Sequence, residues 1–267
     1  MFIIDQELCI QCDTCTHNCH QGAISIKDGE LVHDSSRCNC CGHCLASCPR
    51  DAIQIDGDGY NIEDVEEFNM LTKATAKQIR REIMMRRSVR TFNEEELTDS
   101  EISYVLEAAK YAPTAKNCQG NALLVLTDPE KKAELLAESM EELKALADEW
   151  KEKAPGLSGF FAAKYKNYKE KGFDGLFYDA PCVIYVFSGS DIDGAICAAS
   201  MMQMITAQNL GGVYLQLAAD PFNHNPELMK KYNIPEGRKC VIAIAFGHTD
   251  EEFFSSVPRK EIPTIYL

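Results

Sequence analysis

Eight cysteines in two matched sets carry the clearest chemistry in this sequence. Cys9, Cys12, Cys15 and Cys19 follow the spacing C-x2-C-x2-C-x3-C, and Cys38, Cys41, Cys44 and Cys48 repeat it twenty-nine residues later, with Pro49 behind the last. The repeat reaches beyond the thiols. Asp5 matches Asp34, Ala23-Ile24-Ser25-Ile26 matches Ala52-Ile53-Gln54-Ile55, and both ends of each unit read as short strands. An internal duplication of this kind implies two equivalent half-sites about a pseudo-twofold axis. The chain has thirteen cysteines, nine of them between Cys9 and Cys48, with Cys118, Cys182, Cys197 and Cys240 scattered beyond. Dense, regularly spaced thiols point to metal binding rather than to disulfides.

The spacing selects the metal. Three cysteines on one tight loop can face three iron corners of a cubane, while a fourth placed three residues further on points away. In a duplicated arrangement that fourth thiolate ligates the other cluster. Cys9, Cys12, Cys15 and Cys48 are therefore expected to hold one 4Fe-4S cluster, and Cys19, Cys38, Cys41 and Cys44 a second. Zinc is the rival, but zinc sites use four local ligands rather than a crossed pattern. The segment resembles bacterial-type two-cluster ferredoxin domains. It departs from them at His20, where the family has proline, and at Cys40, an extra thiol read here as a spectator. With so little apolar material, such a segment should draw much of its folding energy from the clusters.

Composition bounds the rest. A hydrophobic share of 45% over 267 residues is enough for a packed core, in one large domain or two ordinary ones. The net charge is −14, and residues 1–67 hold three basic side chains against thirteen acidic ones, or −10 of that total. So acidic a front end argues against nucleic acid, which needs phosphate neutralisation; it suits a basic redox partner or a solvated surface. No apolar run approaches the ~20 residues of a membrane span. The amino terminus lacks the features of a signal peptide, so the plain expectation is a soluble, cytoplasmic protein.

Turn formers and acidic residues over 56–68 mark a boundary. Expected domains are 1–59, a linker over 60–75, and 76–267. In the last, helices are read at Ala74–Arg87, from a Thr98 cap to about Tyr111, at Lys131–Trp150 and at Asp191–Leu210. Strands are read at Ala122–Leu126, Cys182–Phe187, Val213–Leu217 and Val241–Phe246. The expected class is α+β, with helices around a central mixed sheet. Met201, Met202 and Met204 read as core filling rather than as metal ligands.

Three segments of this second domain carry chemistry. Five of the nine arginines fall between Arg80 and Arg90, and Arg86-Arg87-Ser88-Val89-Arg90 offers planar forks and a hydroxyl suited to phosphate; alone it could be a solvated helix face. Pro113-Thr114-Ala115-Lys116-Asn117-Cys118-Gln119 is a loop whose amides can both donate and accept, as a pyrimidine edge requires. Alone it is a polar turn. Arg259 and Lys260 place two cations beyond the last strand and the Gly247-His248 that follows it.

Together, in this order, the segments resemble the FMN-dependent nitroreductase family over residues 76–267. The resemblance implies that Arg86, Ser88 and Arg90 grip the flavin phosphate and ribityl chain, with Arg87 contributing through its backbone. It implies that Pro113, Thr114 and Asn117 line the isoalloxazine ring, that Leu215 and Gln216 lie at flavin N5, and that Gly247, Arg259 and Lys260 close the phosphate site. The family's Pro-Trp after Asn-x-Gln is replaced here by Gly120-Asn121. A homodimer is implied as well. No side chain need act as nucleophile, because FMN carries the chemistry. The expected activity passes electrons from a low-potential donor such as a ferredoxin, through two clusters, to FMN and then to a small electron-poor acceptor (nitroaromatic, quinone or enone). The alternatives are an NAD(P)H-fed reductase exporting electrons through the clusters, a non-enzymatic electron carrier or redox sensor, and a specialised chemistry such as dehalogenation or flavin fragmentation.

Overall fold

The computed structural model describes residues 2–66, 68 and 73–267. Residues 1, 67 and 69–72, the last five inside the expected linker, lie outside the described residues. The chain divides into two compact units, Met1–Lys73 with Ala115–Cys118, and Ala74–Thr114 with Gln119–Leu267.

The amino-terminal unit is built twice from one plan. β1 (Phe2–Ile4), α1 (Thr14–Asn18) and β2 (Ile24–Lys27) are followed by β3 (Glu30–His33), α2 (His43–Ala46) and β4 (Ile53–Ile55). β1 pairs antiparallel with β4, and β2 with β3 through a two-residue Asp28-Gly29 turn in which both residues have positive φ. Asp-Gly suits such a turn because its handedness matches the twist of the strands. Equivalent bonds recur at the repeat spacing. Asp5 N donates to Ala52 O at 2.9 Å and Asp34 N to Ala23 O at 2.8 Å. Gln11 and Cys40, which correspond in the repeat, have φ of 54° and 50°. The core consists of Cys15, Ile24, Leu31, Cys44 and Ile53.

The carboxy-terminal unit is a four-stranded antiparallel sheet covered by helices on both faces. Its elements are α3 (Ala76–Met85), α4 (Asp99–Lys110), β5 (Ala122–Leu126), α5 (Pro129–Glu149), α6 (Pro155–Lys171), β6 (Cys182–Ser188), α7 (Asp191–Ala207), β7 (Gly211–Leu215), α8 (Ala219–His224), α9 (Pro226–Lys231) and β8 (Lys239–Gly247), with sheet order β5-β6-β8-β7. A single parallel bridge joins Ser88 to Gly212 on the outer edge of β7, but all three strand pairs of the sheet, expected to be mixed, are antiparallel.

Alternation along the strands explains the two helix layers. Val183, Tyr185 and Phe187 of β6, with Ala243 and Ala245 of β8, face the side packed by Leu135, Leu143, Phe161 and Phe222. Cys182, Ile184 and Val186, with Ile244 and Phe246, face Val105, Cys197, Met201, Met202 and Ile205. All seven β6 residues are buried. Each such aliphatic or aromatic side chain contributes about 1.5–3 kcal/mol, so β6 anchors the domain. Met201 and Met202 are core residues, as their pattern suggests.

Local signals set most helix ends. Thr75 with Gln78, and Thr98 with Glu101, form reciprocal capping boxes, each of which satisfies two backbone donors. Four segments differ from expectation, among them α8 and α9, short helices where no element was expected. The strand expected at Val213–Leu217 runs from Gly211 to Leu215, and Gln216–Ala218 forms a 3₁₀ turn. α6, rich in glycine and aromatics, carries no sharp sequence signal, yet it packs along α5 and is closed by Gly172 at φ 65°.

Candidate functional site

The loops of the amino-terminal unit enclose two cavities of about 360 Å³ and 340 Å³, open mouths included. Cys9, Cys12, Cys15 and Cys48 line the first, backed by Ile26, Leu31 and Ile53. Cys19, Cys38, Cys41 and Cys44 line the second, with Cys40 also on its wall. Each cavity thus takes three thiols from one repeat and one from the other. Among the described residues no three His, Cys, Asp or Glu side chains converge closely enough to hold a single metal ion. The thiols surround a volume instead of meeting at a point, which suits a polynuclear cluster better than zinc.

Backbone donors are aimed at the sulfurs. Ala23 N–H donates to Cys19 Sγ at 3.2 Å and Ala52 N–H to Cys48 Sγ at 3.3 Å, again in repeat-related pairs. Cys40 N–H donates to Cys38 Sγ at 3.4 Å. The Thr14 hydroxyl, 3.4 Å from Cys12 Sγ, lowers the pKa of that thiol. Burial pushes Cys15 up and Cys44 up to about 11. A buried thiolate needs a compensating cation, and a cluster's iron supplies one. The isolated thiols of the other unit contrast with these: Cys182 is pushed up to about 12 and Cys197 to about 11 by burial, which leaves them inert core residues.

In the carboxy-terminal unit the arginine segment is docked on the edge of the sheet. Val89 N–H donates to Gly212 O at 3.1 Å beside the Ser88–Gly212 bridge, and Gly211 pairs with Gly247. Both glycines are required by packing. A Cβ on Gly211 would lie 2.6 Å from Val89 Cγ1, and one on Gly247 2.3 Å from Pro181 Cγ. Arg86, Arg87, Ser88, Arg90 and Gly247 are thereby gathered at one end of β7. Leu215 and Gln216 stand at its other end, Leu215 buried and Gln216 exposed. Gly211 and Leu215 are four residue steps apart along the strand, or about 13 Å.

The arginines differ in their partners. Arg87 Nη1 is held by Met84 O and Arg86 O at 2.8 and 2.7 Å, and its Nη2 reaches Ser255 O at 3.4 Å. Arg90 lies over the Tyr178 ring, 5.7 Å from its centroid. Arg86 Nη1 is buried with no hydrogen-bond partner. A buried cationic donor left unpaired is costly, and an anionic ligand at this point removes the cost, so the segment fits a phosphate-bearing cofactor. Pro113 is exposed, and Thr114 Oγ1 accepts from Gln119 N at 3.0 Å. Arg259 and Lys260 lie exposed in a tail, residues 251–267, that has neither helix nor strand. Asn117 groups with the amino-terminal unit, where its Nδ2 donates to Asn39 O and Cys40 O at 3.2 and 3.0 Å. Tyr178, the cation–π partner of Arg90, and the sulfur-directed N–H groups of Ala23 and Ala52 escaped the sequence reading; the Ala23/Ala52 repeat match was the one available signal.

Two matches follow this division of the chain. Residues 8–61 match the 4Fe-4S dicluster domain. The chain belongs to the nitroreductase family, whose description matches residues 83–248. Among solved structures, an FMN-bound nitroreductase from Bacteroides fragilis NCTC 9343 superimposes with a TM-score of 0.57 at 18% identity, over 71% of this chain and 98% of that one. One from Desulfitobacterium hafniense DCB-2, also with bound FMN, gives 0.56 at 22% identity, over 70% and 98%. The front unit is 37% identical over 57 residues to polyferredoxin protein MvhB of Methanothermus fervidus, a match spanning 20% of this chain but only 13% of that protein.

Proposed function

We propose that this chain is an iron–sulfur flavoprotein oxidoreductase that takes up single electrons at two 4Fe-4S clusters and, by way of FMN, reduces a small electron-poor acceptor of nitroaromatic, quinone or enone type. Clusters exchange electrons singly and a flavin can collect them singly and release a pair, so the two cofactors join one-electron supply to two-electron reduction. The observation that carries the reading is the crossed composition of the two thiol cavities, in a chain that also has a nitroreductase domain with an unpaired buried guanidinium.

The chain's own residues bind and orient. Cys9, Cys12, Cys15 and Cys48 hold one cluster and Cys19, Cys38, Cys41 and Cys44 the other. Arg86, Ser88 and Arg90 take the flavin phosphate and ribityl chain, with Arg87 held by backbone carbonyls as a brace. Gly247, Arg259 and Lys260 complete the phosphate site, and Pro113, Thr114, Asn117, Leu215 and Gln216 border the ring. The working form is a homodimer. The tail supports this, since it exposes Phe254, Ile262, Ile265 and Tyr266, each more than four-fifths accessible, and apolar side chains in such density mark a surface to be covered.

The test is anaerobic purification followed by iron and flavin quantitation and turnover with reduced ferredoxin or NADH. About eight irons and one FMN per chain, with ferredoxin-driven turnover lost in Cys12→Ala, are expected. Zinc in place of iron, absence of FMN, or unchanged ferredoxin-driven turnover in that variant would sink the reading.

A further inference from the structure

The geometry points to Asn117 as a positioning residue for the second cluster: its carboxamide polarises the Asn39–Cys40 peptide against Cys38 and so raises that cluster's reduction potential relative to the first. This rests on the proposed assignment of Cys19, Cys38, Cys41 and Cys44 to one cluster.

The bonds form a relay. Cys40 N–H donates to Cys38 Sγ at 3.4 Å. The carbonyl of that same peptide group, Asn39 O, accepts from Asn117 Nδ2 at 3.2 Å. A donor at the oxygen of a conjugated amide withdraws charge from its N–H, so bonds in series strengthen one another by roughly 10–30%. The second Nδ2 hydrogen serves Cys40 O at 3.0 Å, and Asn39 Nδ2 reaches back to Lys116 O at 3.4 Å. The peptide is therefore held from both sides. N–H donors to cluster sulfur favour the reduced, more negative state, and such bonds are among the determinants of cluster potential.

Backbone conformation shows that this arrangement is held against local preference. Lys116 and Asn117 both have φ of 54°, and Cys40 has 50°. Asparagine tolerates that region, but lysine does not readily occupy it, and such residues persist only where their surroundings over-determine them. Ala115–Cys118 also groups with the amino-terminal unit, although its chain neighbours on either side belong to the other.

The repeat supplies an internal control. Gln11 occupies the place of Cys40 with the same left-handed backbone, yet its side-chain amide turns to Gly29 O. The amide of Gln11 is thereby committed away from the Ile10–Gln11 peptide. The Asn117 bonds thus fall on one of the two repeat-related peptides. With both Nδ2 hydrogens engaged, a flavin role for Asn117 is limited to its Oδ1 as an acceptor.

EPR-monitored potentiometry of the anaerobic holoprotein tests this with Asn117→Ala and Asn117→Gly, the glycine keeping the left-handed backbone accessible while deleting the donor. In both variants one of the two cluster potentials should move to a more negative value, with the other unchanged and iron content intact. Two unmoved potentials, equal shifts of both, or loss of iron from both variants overturns the inference while leaving the two-cluster reading in place. A wild-type protein without two reducible clusters overturns both.

Discussion

Val89 and Gly212 are joined by a 3.1 Å backbone hydrogen bond that seats the arginine segment on the edge of the sheet. The neighbouring Gly211 has to be a glycine because Val89 fills the space a Cβ would take. Gly211→Ala should therefore push Val89 outward. Overpacking of this kind costs about 1–3 kcal/mol, readable in denaturant unfolding. Because Arg86 and Arg90 flank the displaced residue, flavin content should fall in the same variant. Normal flavin retention would show that the docking does not position the phosphate site.

Arg86 gives a prediction with opposite signs in two states. Its buried Nη1 lacks a partner, so Arg86→Ala should leave the stability of flavin-free protein unchanged or raised. Flavin binding should weaken. A hydrogen bond to a charged group contributes about 1.5–3 kcal/mol, which corresponds to roughly 10- to 150-fold in Kd. Flavin fluorescence titration measures the second effect and thermal melts of the apo form the first.

The two cavities predict a pattern of non-additivity. Cys12 and Cys48 line one cavity, while Cys19 lines the other. Cys12→Ala and Cys48→Ala should each reduce iron from about eight to about four per chain, and the double variant should lose little more than either alone. Combining Cys12→Ala with Cys19→Ala should strip both sites. Additive losses for Cys12 and Cys48 would contradict shared occupancy.

Glu101 links the α4 cap to acid stability. Its carboxylate accepts from Thr98 N–H and the Thr98 hydroxyl, both at 2.8 Å, and lies 3.2 Å from His248 Nε2. These bonds, the Thr98 N–H foremost, hold its pKa below the ordinary 4.5. A depressed folded-state value means stability that is present above 4.5 and is lost as pH falls through the lower, folded-state value. Between pH values of about 5 and about 3, the wild type should lose more stability than Glu101→Gln. Parallel acid-unfolding curves would remove Glu101 from that transition.

Much of the second domain was legible because its signals are local. The apolar run at β6, the Thr98-x-x-Glu101 box and the burial of Met201 and Met202 follow from periodicity and capping chemistry alone. β7 was misplaced at its start because glycines weaken strands. Here Gly211 and Gly212 are in the ladder because Val89 stands where a Cβ on Gly211 would be, and Ile205 and Met202 crowd the place of one on Gly212. α6 escaped notice because its apolar and polar residues do not segregate by face, so its packing against α5 is a tertiary matter.

By itself the sequence determined the duplicated thiol spacing, the acidic front end and the order of the arginine, amide and tail segments, since these are properties of neighbours along the chain. Only the tertiary structure decided that Arg86 keeps a buried guanidinium nitrogen unpaired and that Asn117 turns both amide hydrogens to the Asn39–Cys40 loop. Such relationships depend on which distant backbone groups the fold brings within hydrogen-bonding reach, and no local period records them.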